Sequence, residues 1–101
     1  MSKPKVIVTR RWPEEVERRL VEIFDAELNS DDRPLTPAGL KAAFAAADAV
    51  FPTVSDRIDA KVLGAEPLRA RLCGNFGVGY NNIDLAAAEA RGIAVTNTPA
   101  S

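Results

Sequence analysis

The sequence predicts an α/β fold built on a five-stranded parallel sheet. Three observations carry this expectation. Short strand-like runs, the first of them β-branched, alternate with helix-like segments along the whole chain, in the order βαβαβαβαβ. Residues that favour helix starts (Thr36-Pro37, Asp59 and Asp84) stand just before the segments with helical character. With 101 residues there is room for one domain and no second.

Lys5 to Thr9 (KVIVT) is the first strand. Pro13 follows at a first helical position, and Glu14 and Glu15 complement the positive end of the helix dipole. Val16, Leu20, Ile23 and Phe24, at i, i+4, i+7 and i+8, form one face of that helix. Asp25 to Leu28 is a weak second strand, and 29–34 a polar turn cluster. Thr36 caps a helix running to about Ala47. Asp48 to Phe51 is the third strand, ended by Pro52. Asp56 and Asp59 read as caps, Asp59 for a short helix over Ala60 to Leu63. Arg69 to Asn75 is the fourth strand, with Cys73 inside it as a small buried hydrophobe. Asp84 caps a helix through Arg91 that Gly92 stops, and Ile93 to Thr96 is the fifth strand.

This pattern implies helices on both faces, right-handed crossovers and the flavodoxin-like strand order 2-1-3-4-5. Such a sheet normally finishes with a fifth helix. The sequence stops after strand five on a proline turn, so the expectation is a sheet face without its last cover and a polypeptide that is cut or borrows that helix. An uncovered face of this kind predicts a dimer or an exchange of segments.

Composition narrows the chemistry. The apolar fraction is 47% and the charged fraction 27%, ordinary for a soluble domain. Thirteen basic against fourteen acidic residues leave a net charge of −1, which argues against nucleic acid or an anionic membrane as partner. No apolar run approaches a membrane span, and the charged start is no signal peptide, so a cytoplasmic location is the default. Cys73 is the single cysteine and histidine is absent. Zinc and Ser-His-Asp chemistry lose their usual ligands and base, and no metal site is expected.

Ligands of open parallel sheets bind beyond the carboxyl ends of the strands. There the sequence places Arg10, Arg11 and Trp12, then Pro52, Thr53, Val54 and Ser55, then Asn75 through Tyr80, then Asn97 and Thr98. Arg10 and Arg11 read as a solvated loop or an anion clamp, and Trp12 as an anchor for the first helix. From Gly77 the chain reads G-V-G-Y-N-N. Two glycines of the dinucleotide fingerprint G-x-G-x-x-G are present, but Asn82 takes the third place and no acid ends the next strand. The loop instead suits a small anion such as a carboxylate held by main-chain N–H groups; the alternative is a tight turn with no ligand.

The block NFGVGYNNIDLAAAEARGIAVTNTP (75–99) resembles the signature region of the D-isomer-specific 2-hydroxyacid dehydrogenases, above all their glyoxylate/hydroxypyruvate reductase branch. KVIVTRRWP and DAVFPTVSDRID resemble the same branch. The resemblance implies that 1–101 is the N-terminal part of a substrate-binding domain with a flavodoxin-like fold. It implies that Val78 and Gly79 hold a substrate carboxylate through their N–H groups, that Asn75, Phe76 and Gly77 shape that loop, and that Thr53 and Val54 line the substrate side. Asn97 matches a substrate-contacting position of formate dehydrogenase relatives, although the Thr-Pro after it differs. The family's catalytic arginine, glutamate and histidine, its G-x-G-x-x-G and its NAD(P)H belong to a later cofactor domain. No catalytic role and no bound cofactor is therefore expected for these 101 residues. A free-standing flavodoxin-like binding or signalling module is the other reading. A phosphorylated receiver needs acids after strands one and three, where this chain has Arg10-Arg11 and Pro52-Thr53.

Overall fold

A computed structural model describes residues 3–29, 31, 33, 35–53, 56–75 and 81–97. Strands β1 (Lys5–Val8), β2 (Asp25–Glu27), β3 (Ala49–Phe51), β4 (Leu72–Asn75) and β5 (Ala94–Asn97) form one parallel sheet in the order β2-β1-β3-β4-β5. Between them run α1 (Glu14–Ile23), α2 (Pro37–Ala46), α3 (Ala60–Leu63) and α4 (Leu85–Ala90). The flavodoxin-like order expected from the sequence is the one observed.

The pleat divides the sheet between two cores. Val6, Val8 and Ala49 face α1, where Leu20 and Trp12 close over them. Ile7, Val50, Cys73 and Val95 face the other way, toward Leu40 and Phe44 of α2, Val62 and Leu63 of α3 and Ala88 of α4. Helices thus lie on both faces. Trp12 anchors its helix by stacking on Phe51 with ring centroids 5.6 Å apart. The Phe51 ring in turn lies against Gly74, where a Cβ would come within 2.9 Å of it. Any side chain at position 74 would displace that ring.

The caps follow the expected chemistry. Thr36, Asp59 and Asp84 each accept a backbone N–H three residues on. Gly92 takes φ +72°, which a glycine adopts without strain. Glu17 is buried and reaches back to accept from the Trp12 N–H at 3.0 Å and from Arg11.

Two expectations need correction. The fourth strand begins at Leu72 and not at Arg69, because the Arg69 and Ala70 N–H groups donate to the Phe44 carbonyl and the Arg71 N–H to that of Asp48, outside the ladder. Asp56 is no helix cap. Its carboxylate is buried between the ends of β1 and β3, accepting from the Thr9 hydroxyl and from the Thr53 N–H at 3.0 Å.

Candidate substrate-carboxylate site

The carboxyl ends of β1, β3, β4 and β5 come together at one edge. Asn75 closes β4 and pairs in register with Asn97 at the end of β5. Thr9 follows β1, and its N–H donates to the Phe51 carbonyl at 3.2 Å, which carries the ladder one step past the strand. Thr53 follows β3, half-buried, with its N–H and hydroxyl both turned to Asp56. Phe76, Gly77, Val78, Gly79 and Val54 lie outside the described residues, as do Tyr80, Ser55 and Thr98.

What joins these ends is a polar network that the fingerprint comparison undervalued. Asn75 is fully buried, and its amide pairs with the Asn82 amide in both directions, each N–O distance being 3.1 Å. Asn82 Nδ2 also lies 3.1 Å from the Thr53 carbonyl and 2.9 Å from that of Asp56. The Asn82 carbonyl accepts from the Ile58 N–H at 2.7 Å, and the Ile58 carbonyl accepts from the Asp84 N–H at 2.8 Å. Ile58 and Ile83 form an isolated parallel bridge there. Asn82, Asp56 and Thr9 are therefore the site-shaping residues that sequence reasoning missed. The available signal was a pair of asparagines flanking a glycine-rich stretch, since a primary amide both donates and accepts and a buried pair satisfies itself.

Electrostatics at this edge are mild. Burial, and then the Asp56 charge, push the Cys73 thiol up to about 12, so it is protonated and inert at neutral pH. Arg11 spends its guanidinium on Glu17 at 3.3 Å. An open depression of about 500 Å³ lies beside the network, lined by Asp56, Asp59, Asn82 and Asp84 among others. Its carboxylates outnumber its one guanidinium, that of Arg57, and disfavour an anion. Among the described residues no group of three His, Cys, Asp or Glu side chains is arranged to hold a metal.

The matched family model is the catalytic domain of the D-isomer specific 2-hydroxyacid dehydrogenases, and it covers residues 6–101. The chain belongs to that family. It is 39% identical over 97 residues to a glyoxylate reductase of Thermococcus onnurineus and 41% identical over 97 to one of Thermococcus kodakarensis. Each alignment takes in 96% of this chain and 29% of the relative, so the chain spans under a third of the relatives' length. A structure from Polaromonas sp. JS6 66, assigned to the NAD-binding D-isomer specific 2-hydroxyacid dehydrogenases, superposes with a TM-score of 0.85 at 33% identity. It covers 92% of this chain, which spans 29% of that one.

The family brings a nicotinamide dinucleotide with it, and the described residues do not fit one. The third fingerprint position is filled by an asparagine whose amide is committed to Thr53, Asp56 and Asn75. The following helix has six residues and is capped by its own aspartate, and β5 ends on Asn97 where the ribose acid is required. No helix among the described residues is long and apolar enough to cross a membrane.

Proposed function

We propose that the chain is the carboxylate-holding part of an NAD(P)H-dependent 2-keto acid reductase, with glyoxylate or hydroxypyruvate as substrate. Residues 1–101 are the N-terminal part of its substrate-binding domain. The observation that carries the reading is the convergence of Asn75 and Thr53 on one half-buried asparagine, Asn82, at the carboxyl edge of the sheet, in a chain whose relatives are glyoxylate reductases.

In this reading the Val78 and Gly79 N–H groups bind the carboxylate. Asn75, Phe76 and Gly77 shape the loop, and Thr53, Val54 and Asn97 bound the substrate. Neutral main-chain donors suit a small anion that must be held without a competing counter-charge. Catalytic groups and cofactor are assigned outside these residues, so the chain alone neither turns over nor binds NAD(P)H. Its setting is the cytoplasm. The chain pairs with a second copy or exchanges a segment through the sheet face near β5.

Calorimetry tests this reading with oxalate, a planar dicarboxylate that mimics a 2-keto acid, and with NADPH. Saturable oxalate binding near about 1 mM and no heat from NADPH are the expected results. Absence of oxalate binding removes the carboxylate site, and micromolar NADPH binding removes the assignment of the cofactor elsewhere.

A further inference from the structure

Asn82 carries more than a turn requires. Asn75 ends β4 and Asn82 lies seven residues on, so the two stand on either side of positions 76–80. The head-to-tail amide pair clamps these flanks together, while the same Nδ2 reaches the Thr53 and Asp56 carbonyls on the neighbouring connection. Asp56 in turn receives the Thr53 N–H and the Thr9 hydroxyl, so β1, β3 and β4 are joined through one chain of polar contacts. A glycine at position 82 would leave the Asn75 amide and both carbonyls without this partner. A carboxylate would set negative oxygen against those carbonyls. The helix that follows is capped by Asp84 and does not need Asn82 for its start.

We propose that Asn82 is a positioning residue, holding the two flanks of 76–80 at a fixed distance from Thr53 and thereby setting the spacing of the carboxylate site. It acts through Asn75 and the Thr53 carbonyl and touches no substrate itself. The inference rests on the carboxylate-site reading above, but its first readout needs no ligand.

Asn82→Asp in this chain is the test, followed by NMR and oxalate titration from about pH 8 to pH 5. Held half-buried against the Thr53 and Asp56 carbonyls, the new carboxyl has its pKa raised, and its protonated form regains a donor as pH falls. At pH 8 the Asn75 side-chain amide signals are expected to shift while the Val6 and Val50 backbone signals of the sheet hold. Oxalate binding should weaken roughly tenfold, as for a buried hydrogen bond left unmade. Both changes should reverse toward pH 5, a recovery that a purely structural defect would not show.

Unmoved Asn75 signals overturn the proposal. So do Val6 and Val50 signals that move with them, because Asn82 would then support the whole fold. Shifted Asn75 signals with wild-type oxalate affinity overturn it as well. If the unsubstituted chain binds no oxalate, the carboxylate reading fails, and with it the role assigned to Asn82. The Asn75 signals still report whether the clamp exists.

Discussion

At the residue scale, burial decides chemistry more than identity does. Cys73 would be a reactive thiol on a surface; at 0% exposure and near Asp56 its thiol is held up to about 12. In the native protein at about pH 7.5 a thiol reagent should modify it far more slowly than in the urea-unfolded chain, where the ordinary value is about 8.5. Fast labelling of the native protein, at the unfolded rate, would refute this. Because the folded value is raised, the associated stability is whole below about pH 8.5 and is lost as pH climbs from there toward 12. Cys73→Ala should accordingly flatten the fall in urea midpoint between about pH 8 and 10 relative to the unsubstituted chain. Burial also explains what the sequence hid. Cys73 was legible as core because a lone cysteine in an apolar run has few other readings. Asp56 was not, because Asx residues before helices so often cap them, and only the three-dimensional meeting of Thr9 and Thr53 gives it a different set of donors.

Element identity and order were readable because the chain's local signals agree with one another. Thr36-Pro37, Asp59 and Asp84 start helices where expected, and the β-branched KVIV run forms the first strand. Strand ends were less readable, since they depend on partners distant in sequence. Asp48 is the clearest case. It looked like the first residue of a strand and instead ties elements together: one carboxylate oxygen accepts from the Lys5 N–H at 2.8 Å, and both face the Arg69 guanidinium at 3.0 and 3.4 Å. The side-chain hydrogen bonds from Arg69, then the bond from the Lys5 N–H, hold the Asp48 carboxyl below its ordinary value. A lowered carboxylate stabilises above its unfolded value near 3.9 and loses that contribution as pH falls through the lower folded value. Asp48→Asn should therefore lower the urea midpoint at pH 7, and the gap to the unsubstituted chain should narrow as pH is taken well below the unfolded value of about 3.9. A gap of the same size at neutral and acid pH would show that the carboxylate charge contributes nothing to docking β1 against the segment before β4.

At the scale of the whole molecule, the two faces of the sheet are unequally covered. Parallel sheets are ordinarily buried on both sides. Here α2, α3 and α4 close one face, and the α1-side cluster closes the other over β1, β2 and β3 and reaches Leu72 of β4. Farther along, the Phe51 ring covers Gly74 of β4, and Ala94 and Thr96 of β5 lie in register with Leu72 and Gly74 at the edge of the sheet. Leu72 is half-buried while Ala94 and Thr96 are exposed. The small, uncharged side chains of Ala94 and Thr96 make an edge strip on which a second copy can seat itself closely, and association removes that strip from water. The expected outcome is a dimer in light scattering at high protein concentration, dissociating on dilution. Thr96→Lys puts a charge in the middle of the strip without touching the buried core and should return the chain to a monomer with little change in its own unfolding. A chain that stays monomeric at every concentration, or a Thr96→Lys variant as dimeric as its parent, would place any self-association on another surface.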